Sequence, residues 1–304
     1  MGILPIVIVI LIVPAVIFVA LPKGNWLHES VTLPLWSLRV RFLPKGNYIE
    51  SKHHYGLHFR QYLLYFRPAK PDAGRRQVVV YFHGGGWQFG RPEMFRPDAQ
   101  ALVNAGYHVF MPSHRRIPFF NFRHMRLDIQ AAMYSVAVLM EEHGLAGKKV
   151  ILGGTSSGGH LAALLSLDHA ILNEEGMPGE GLSGLFLMGA AINLGGMWAS
   201  PPLWMLAGSR KGVLFREANP MNHLSESFRL PTFVIHGTKD GLVEYASVKE
   251  FVLKLDSMKQ APVEFVTLPG GIHTDAASWA FPGHPANTAF FEWLQKLERG
   301  ELDK

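Results

Sequence analysis

Short apolar runs, rich in β-branched and aromatic residues, recur along the chain with segments of helical length between them. The runs that predict strands are residues 63–67, 78–83, 107–113, 149–153, 185–189, 232–236 and 263–268. The segments that predict helices are residues 97–105, 127–143, 157–169, 246–258 and 286–299. Several of the strand runs are apolar on both faces, which is typical of a buried, mostly parallel sheet. The alternation predicts an α/β fold, with a mostly parallel sheet of about eight strands flanked by helices.

The start of the chain has a different pattern, because residues 3–21 carry no charge and are almost entirely apolar. As a helix this run would be roughly 28 Å long, close to the hydrocarbon thickness of a bilayer. We therefore expect an N-terminal hydrophobic helix within residues 1–22 that anchors the protein in a membrane by a single pass. A signal peptide that is cleaved to leave a secreted protein is the main alternative, but no small residue lies two positions before Ala20. A buried core helix is the third interpretation, which Pro5 and Pro14 disfavour.

The rest of the chain divides into two regions. Residues 23–58 are rich in aromatic and basic side chains and are expected to form a linker or cap, whereas residues 59–304 are expected to form the α/β domain. Within that domain, residues 191–229 interrupt the regular alternation with closely spaced Gly and Pro. This interruption predicts an irregular excursion over the sheet.

Composition narrows the chemistry that such a domain can carry. The 304 residues include no Cys, which excludes disulfides, thiol catalysis and Cys-ligated zinc. The 29 Lys and Arg against 24 Asp and Glu leave a charge of only +5 with no basic tract, so nucleic acid is not an expected partner. The His and Asp residues do not follow a metal-binding spacing such as H-E-x-x-H, and no metal or cofactor is expected.

A glycine-rich turn between a predicted strand and a predicted helix contains the candidate nucleophile. In the sequence GGTSSGG, only Ser156 has glycine two positions before it, at Gly154, and two positions after it, at Gly158. Such glycines let a tight turn present a hydroxyl in a strained conformation at the start of a helix. The alternative is a turn in which a serine merely caps the helix.

Three further sequence features point to the same chemistry. Directly after the strand run 78–83 come three glycines, Gly84, Gly85 and Gly86. Their unshielded N–H groups could donate hydrogen bonds to an oxyanion. The alternative is that the glycines only allow the chain to turn. Asp240 follows the strand run 232–236, and His273 follows the run 263–268. Side chains at strand ends in open α/β sheets converge on one crevice, so Asp240 is expected to orient His273, which takes the proton of the serine.

Each of these residues also has an ordinary structural interpretation. The chain has 15 His, and His284 is the second candidate for the base. Asp275 shares a loop with His273, which disfavours it as the acid, and Asp128 is expected to cap a helix. The order of the four features, each at a strand end, favours the catalytic interpretation.

The HGGG and GxSxG motifs resemble the α/β-hydrolase superfamily, specifically its hormone-sensitive-lipase-like branch and its acetyl-esterase and feruloyl-esterase-like carboxylesterases. The resemblance covers roughly residues 55 to 300. It implies a Ser-His-Asp triad and an oxyanion hole from the N–H groups of Gly85, Gly86 and Ser157, with Gly84 shaping the loop. Two departures concern the subfamily: the turn reads GTSSG rather than GDSAG, and the segment around Asp240 reads HGTKDGLV rather than DPLxD.

The expected function is therefore a serine carboxylesterase for small to medium, hydrophobic esters. Trp87, Phe89, Trp198 and Trp204 are candidates for lining its substrate pocket, although core and lid packing is the alternative for each aromatic residue. The HGGGW sequence also resembles arylformamidases, so an amide hydrolase is one rival. A membrane-anchored binding protein that uses the fold without catalysis is the other.

Overall fold

A computed structural model of the protein describes residues 22–43, 46–69, 77–168, 171, 181–281 and 283–302. The predicted membrane anchor lies outside these ranges, apart from residue 22. Among the helices within them, none has both the length and the apolar character needed to cross a membrane.

The described chain is organised around one eight-stranded sheet with the order β1-β2-β4-β3-β5-β6-β7-β8. Its strands are β1 (Tyr48–His54), β2 (Tyr62–Pro68), β3 (Gln77–Phe82), β4 (Val109–Pro112), β5 (Lys149–Thr155), β6 (Leu182–Met188), β7 (Thr232–Gly237) and β8 (Val263–Leu268). Strand β2 runs antiparallel to both of its neighbours, and the remaining pairs are parallel. The α/β fold expected from the sequence, with its mostly parallel sheet, is confirmed.

Helices cover both faces of this sheet. They are α1 (Trp26–Arg41), α2 (Arg96–Asn104), α3 (Phe122–Glu142), α4 (Ser157–Leu167), α5 (Pro201–Ala207), α6 (Val213–Ala218), α7 (Tyr245–Ser257), α8 (His273–Ala277) and α9 (Pro285–Glu298). Helices α5 and α6 lie within the predicted excursion 191–229.

The strands alternate between two cores, as a sheet buried on both faces requires. On β3, Val78 and Val80 belong to the core beneath α3, α4 and α7. Val79 and Tyr81 belong to the opposite core, beneath α2 and α9. All four residues are fully buried, so the sheet is held rigidly between its helical layers.

The segment 23–58 contributes more than the expected linker or cap. It forms helix α1, which contacts α8, and strand β1, which pairs with β2 at the edge of the sheet. The domain boundary predicted at residue 59 therefore cuts through the sheet. Helix α1 has two distinct sides: Glu29 and Thr32 are buried, whereas Leu35 and Leu38 are 54% and 53% exposed.

Asp128 does not cap a helix, contrary to the sequence prediction. It lies inside α3, is fully buried, and accepts hydrogen bonds from the guanidinium of Arg115 at 2.7 Å and from Gln61 Nε2 at 2.8 Å. This ion pair fixes the segment after β4 to α3. That segment in turn supports the glycine loop (residues 83–87), because Ile117 N donates to Trp87 O at 3.1 Å.

Candidate active site

The nucleophile turn (residues 154–158) joins β5 directly to α4. Ser156 has φ 55° and ψ −121°, a positive φ that side chains with a Cβ rarely adopt. The flanking glycines allow this turn to press against β3: a Cβ at Gly158 would lie 2.1 Å from Phe82 O, and one at Gly154 would lie 2.5 Å from the same atom. The spacing of the two glycines is therefore a steric requirement of the turn.

The structure brings Ser156, His273 and Asp240 together in a hydrogen-bonded relay. Ser156 Oγ lies 2.9 Å from His273 Nε2, and His273 Nδ1 lies 2.7 Å from Asp240 Oδ2. The second carboxylate oxygen of Asp240 accepts from the N–H groups of Leu242 and Val243, both at 2.9 Å. With Nδ1 donating to the carboxylate, Nε2 is left to accept the proton of the serine hydroxyl.

The electrostatics of the pair stabilise the imidazolium that forms when His273 takes the serine proton. Burial lowers the pKa of His273, but the charge and hydrogen bond of Asp240, together with the charge of Glu29, outweigh burial and leave that pKa raised. Burial raises the pKa of Asp240, yet His273 and His236 bring it below its usual value. His236 Nε2 is 3.3 Å from Asp240 Oδ2 and 2.9 Å from Val243 O, and burial lowers the pKa of His236.

The glycine loop lies directly beside the nucleophile. A Cβ at Gly84 would be 3.4 Å from Ser156 Cβ, and Gly85 and Gly86 have φ values of 138° and 59°. Within the described ranges, the N–H groups of Gly85 and Gly86 donate to no acceptor. Ser157 opens helix α4, so its N–H also has no acceptor within that helix. These N–H groups are donors of the type that stabilises an oxyanion.

The four candidate pocket residues have different environments. Trp87 is only 5% exposed and donates from Nε1 to His160 Nδ1 at 3.2 Å, so its ring packs in the core. Phe89, Trp198 and Trp204 are 71%, 75% and 68% exposed.

Two other candidates have structural roles. His284 is the N-cap of α9, where its Nδ1 accepts from Ala286 N at 3.2 Å. Asp275 accepts from Ile272 N at 2.8 Å. Among the described residues, no cluster of three or more His, Asp or Glu is arranged to hold a metal ion.

One residue of the site is absent from the sequence prediction. Glu29 of α1 is fully buried, and its Oε1 accepts from His273 N at 2.9 Å and from Gly241 N at 3.2 Å. Its partners lie more than 200 positions further along the chain, so no local motif connects them.

Two family models match the chain over these same elements. Residues 64–180 match BD-FAE, and residues 128–296, more than half of the chain, match the Prolyl oligopeptidase family. The chain belongs to the prolyl oligopeptidase family of α/β-hydrolases. The α/β-hydrolase superfamily expected from its motifs is thereby confirmed, whereas the narrower lipase-like branch stays a prediction.

Individual proteins similar to this α/β-hydrolase carry esterase names. "Probable carboxylic ester hydrolase LipM" from Mycobacterium tuberculosis is 24% identical to this chain, and the match covers 68% of the chain and 51% of the relative. "Esterase LipQ" from the same organism is 26% identical, and the match covers 72% of the chain and 55% of the relative. The chain thus spans about half the length of these curated relatives. Inhibited Esterase B from Lactobacillus rhamnosis has a similar fold, with a TM-score of 0.76, 21% identity, and coverage of 90% of this chain and 94% of that one.

Proposed function

We propose that this α/β-hydrolase cleaves carboxylic esters with Ser156 as nucleophile, His273 as general base and Asp240 as the acid that orients it. The observation that carries the proposal is the relay itself, 2.9 Å from Ser156 Oγ to His273 Nε2 and 2.7 Å from His273 Nδ1 to Asp240 Oδ2. The esterase names of LipM and LipQ support the choice of substrate class.

The reaction follows from the positions of these groups. Ser156 Oγ attacks the ester carbonyl carbon while its proton passes to His273 Nε2. The carbonyl oxygen becomes an anion, which accepts hydrogen bonds from the N–H groups of Gly85, Gly86 and Ser157. The bond to the alcohol oxygen then breaks, and His273 gives its proton to the departing alcohol. Water repeats the cycle on the acyl-enzyme, which releases the acid and restores the serine.

Small to medium, hydrophobic esters are the substrates that the exposed aromatic residues favour. Phe89 lies on the continuation of the glycine loop, where its N–H donates to Gly85 O at 2.7 Å. Trp198 N donates at 2.6 Å to the carboxylate of Glu244, four residues after Asp240. Trp204 lies on α5 of the excursion. The similar Esterase B was crystallised with a tributyrin phosphonate inhibitor, which is consistent with short acyl groups.

Replacing Ser156 with Ala removes the nucleophile and should lower ester turnover by at least about a thousandfold without unfolding the protein. The measurement is hydrolysis of p-nitrophenyl esters from acetate to long acyl chains, with N-formyl aryl amines assayed in parallel. A fluorophosphonate probe followed by mass analysis should label wild-type Ser156 and leave the variant unmodified.

The matched control for this test is Ser166→Ala, because Ser166 is another buried serine, whose hydroxyl donates to Ala163 O within α4. It should hydrolyse esters like the wild type. Faster turnover of formamides than of esters would assign the site to amide hydrolysis. A folded wild type that neither reacts with the probe nor turns over any substrate would favour a binding protein.

We further propose that residues 1–22 anchor the enzyme to a membrane, with a secreted form after cleavage as the alternative. The support is the uncharged run 3–21 in the sequence, whose length suits a bilayer. Such an anchor would hold the enzyme near a membrane, where hydrophobic esters dissolve.

A further inference from the structure

Helix α1 brings a buried acidic side chain to the back of the triad. Glu29 lies in the first turn of α1 and has no solvent-exposed surface. The helix begins at an N-cap, where Asn25 Oδ1 accepts from Leu27 N at 2.9 Å, and this cap fixes the position of the first turn.

Three hydrogen-bond donors converge on the Glu29 carboxylate. Oε1 accepts from the backbone N–H groups of His273 at 2.9 Å and Gly241 at 3.2 Å, and Oε2 accepts from Thr32 Oγ1 at 3.1 Å. The two backbone partners can only donate, so Oε1 accepts both of these hydrogen bonds. A buried carboxylate with charge-assisted hydrogen bonds is held more firmly than a neutral group would be.

The two backbone donors belong to the two loops that carry the catalytic acid and base. Gly241 directly follows Asp240, and His273 is the base itself. A single oxygen atom of Glu29 therefore bridges these loops. The separation between the loops sets the Asp240–His273 hydrogen bond of 2.7 Å, so the bridge acts on the part of the triad that orients the imidazole.

We propose that Glu29 is a positioning residue of the triad, which fixes the acid and base loops relative to each other and places a second negative charge behind the His273 imidazole. The inference rests on the proposed function, because it assigns a role within the same site. Glu29 touches neither Ser156 nor the developing oxyanion, and it acts through His273.

The charged and titratable groups around His273 determine how the Glu29 charge affects the pKa of His273. Asp240 contacts the ring from the loop after β7, and Glu29 accepts from the backbone N–H of His273 from α1. The charges of both residues raise the pKa of His273. Burial lowers the pKa of His236 at the end of β7, and Asp275 on α8 accepts a hydrogen bond from Ile272 N. Loss of the Glu29 charge should therefore lower the pKa of His273, and Asp240 alone would oppose the effect of burial.

The test uses Glu29→Gln in the full chain, because the glutamine oxygen can still accept both backbone hydrogen bonds while the charge is lost. We expect the pKa of His273, measured by histidine NMR, and the acidic limb of kcat/KM for p-nitrophenyl acetate to move down together by about one pH unit. KM should stay close to the wild-type value. Glu29→Ala, which also removes the bridge, should lower kcat by about tenfold even at alkaline pH, where Gln restores it.

Glu50→Gln is the matched control, since it removes the same charge from a residue that pairs with Arg96 at the sheet edge. Its pH profile should equal that of the wild type. An unchanged His273 pKa in Glu29→Gln would overturn the proposal, even with a wild type that turns over esters normally. A wild type without esterase activity would refute the proposed function instead, and the NMR titration would still test whether Glu29 acts on His273. If Glu29→Ala does not fold, Glu29→Gln decides the question.

Discussion

A buried carboxyl group lies behind the nucleophile turn. Asp98 of α2 is 1% exposed and accepts from the hydroxyl of Tyr81 at 3.0 Å, and Tyr81 in turn contacts Thr155, the residue before Ser156. Burial raises the pKa of Asp98 to about 7, although the hydrogen bond from Tyr81 opposes the shift. The folded protein therefore binds this proton more tightly than the unfolded chain, where the pKa is about 4.

Replacing Asp98 with Asn should remove one pH-dependent contribution to the free energy of unfolding. In the wild type, the contribution of Asp98 should fall as the pH rises from about 4 to 7, because ionisation of a buried carboxyl group favours the unfolded chain. The variant lacks this loss, so its stability relative to the wild type should be greater at pH 8 than at pH 5. Urea unfolding at the two pH values measures the difference, and an equal difference at both would show that Asp98 is ionised throughout.

Individual residues are predictable where a motif surrounds them. Ser156 stands between two glycines that the turn requires, and Asp240 and His273 each follow an apolar strand run. Glu29 has no such surroundings, because its hydrogen bonds form only after residues far apart in the sequence have met. The sequence leaves a pocket wall and core packing open for Trp87, and the structure places its ring in the core.

At the level of elements, one ion pair connects the loop after β4 to α3. Replacing Asp128 with Ala removes the carboxylate that pairs with the Arg115 guanidinium. Because the Arg115 side chain is only 18% exposed, the unpaired charge should lower the free energy of unfolding by about 3 kcal/mol. Because this loop supports Trp87 O, ester turnover should fall as well. The control is Asp256→Ala, which breaks the exposed ion pair with Lys259. It should lower the free energy of unfolding by less than about 1 kcal/mol. An equal decrease in the free energy of unfolding in the two variants would show that the Arg115–Asp128 ion pair does not stabilise this loop.

Buried strands and helices are easier to predict from the sequence than exposed or irregular ones. Central strands such as β3, fully buried on both faces, are continuous apolar runs that the sequence marks clearly. Strand β1 escapes prediction because it is an edge strand with the sequence YIESKHH, paired on one side only and mostly exposed. Helices α5 and α6 are short and lie among Gly and Pro, so their turns give no helical period.

At the scale of the whole molecule, the first 41 residues divide into two parts with different expected roles. Deletion of residues 1–22 should leave a folded enzyme with the kcat of the full chain, since α1 and its N-cap Asn25 are kept. Deletion of residues 1–41 removes Glu29 and should lower kcat by about tenfold or more. Ester hydrolysis and circular dichroism of both truncated chains measure the effects. Aggregation of the shorter deletion would place residues 1–22 in the core, and full activity of the longer one would remove α1 from the site.

Helix α1 can also be described as a tethered ligand of the domain it covers. Its inner side makes specific hydrogen bonds to the acid and base loops, and its outer side leaves Leu35 and Leu38 exposed. A covalent tether gives such a ligand an effective concentration in the millimolar range or above, so even weak contacts keep it bound. The alignment of the triad then depends on how fully the helix occupies this internal binding site.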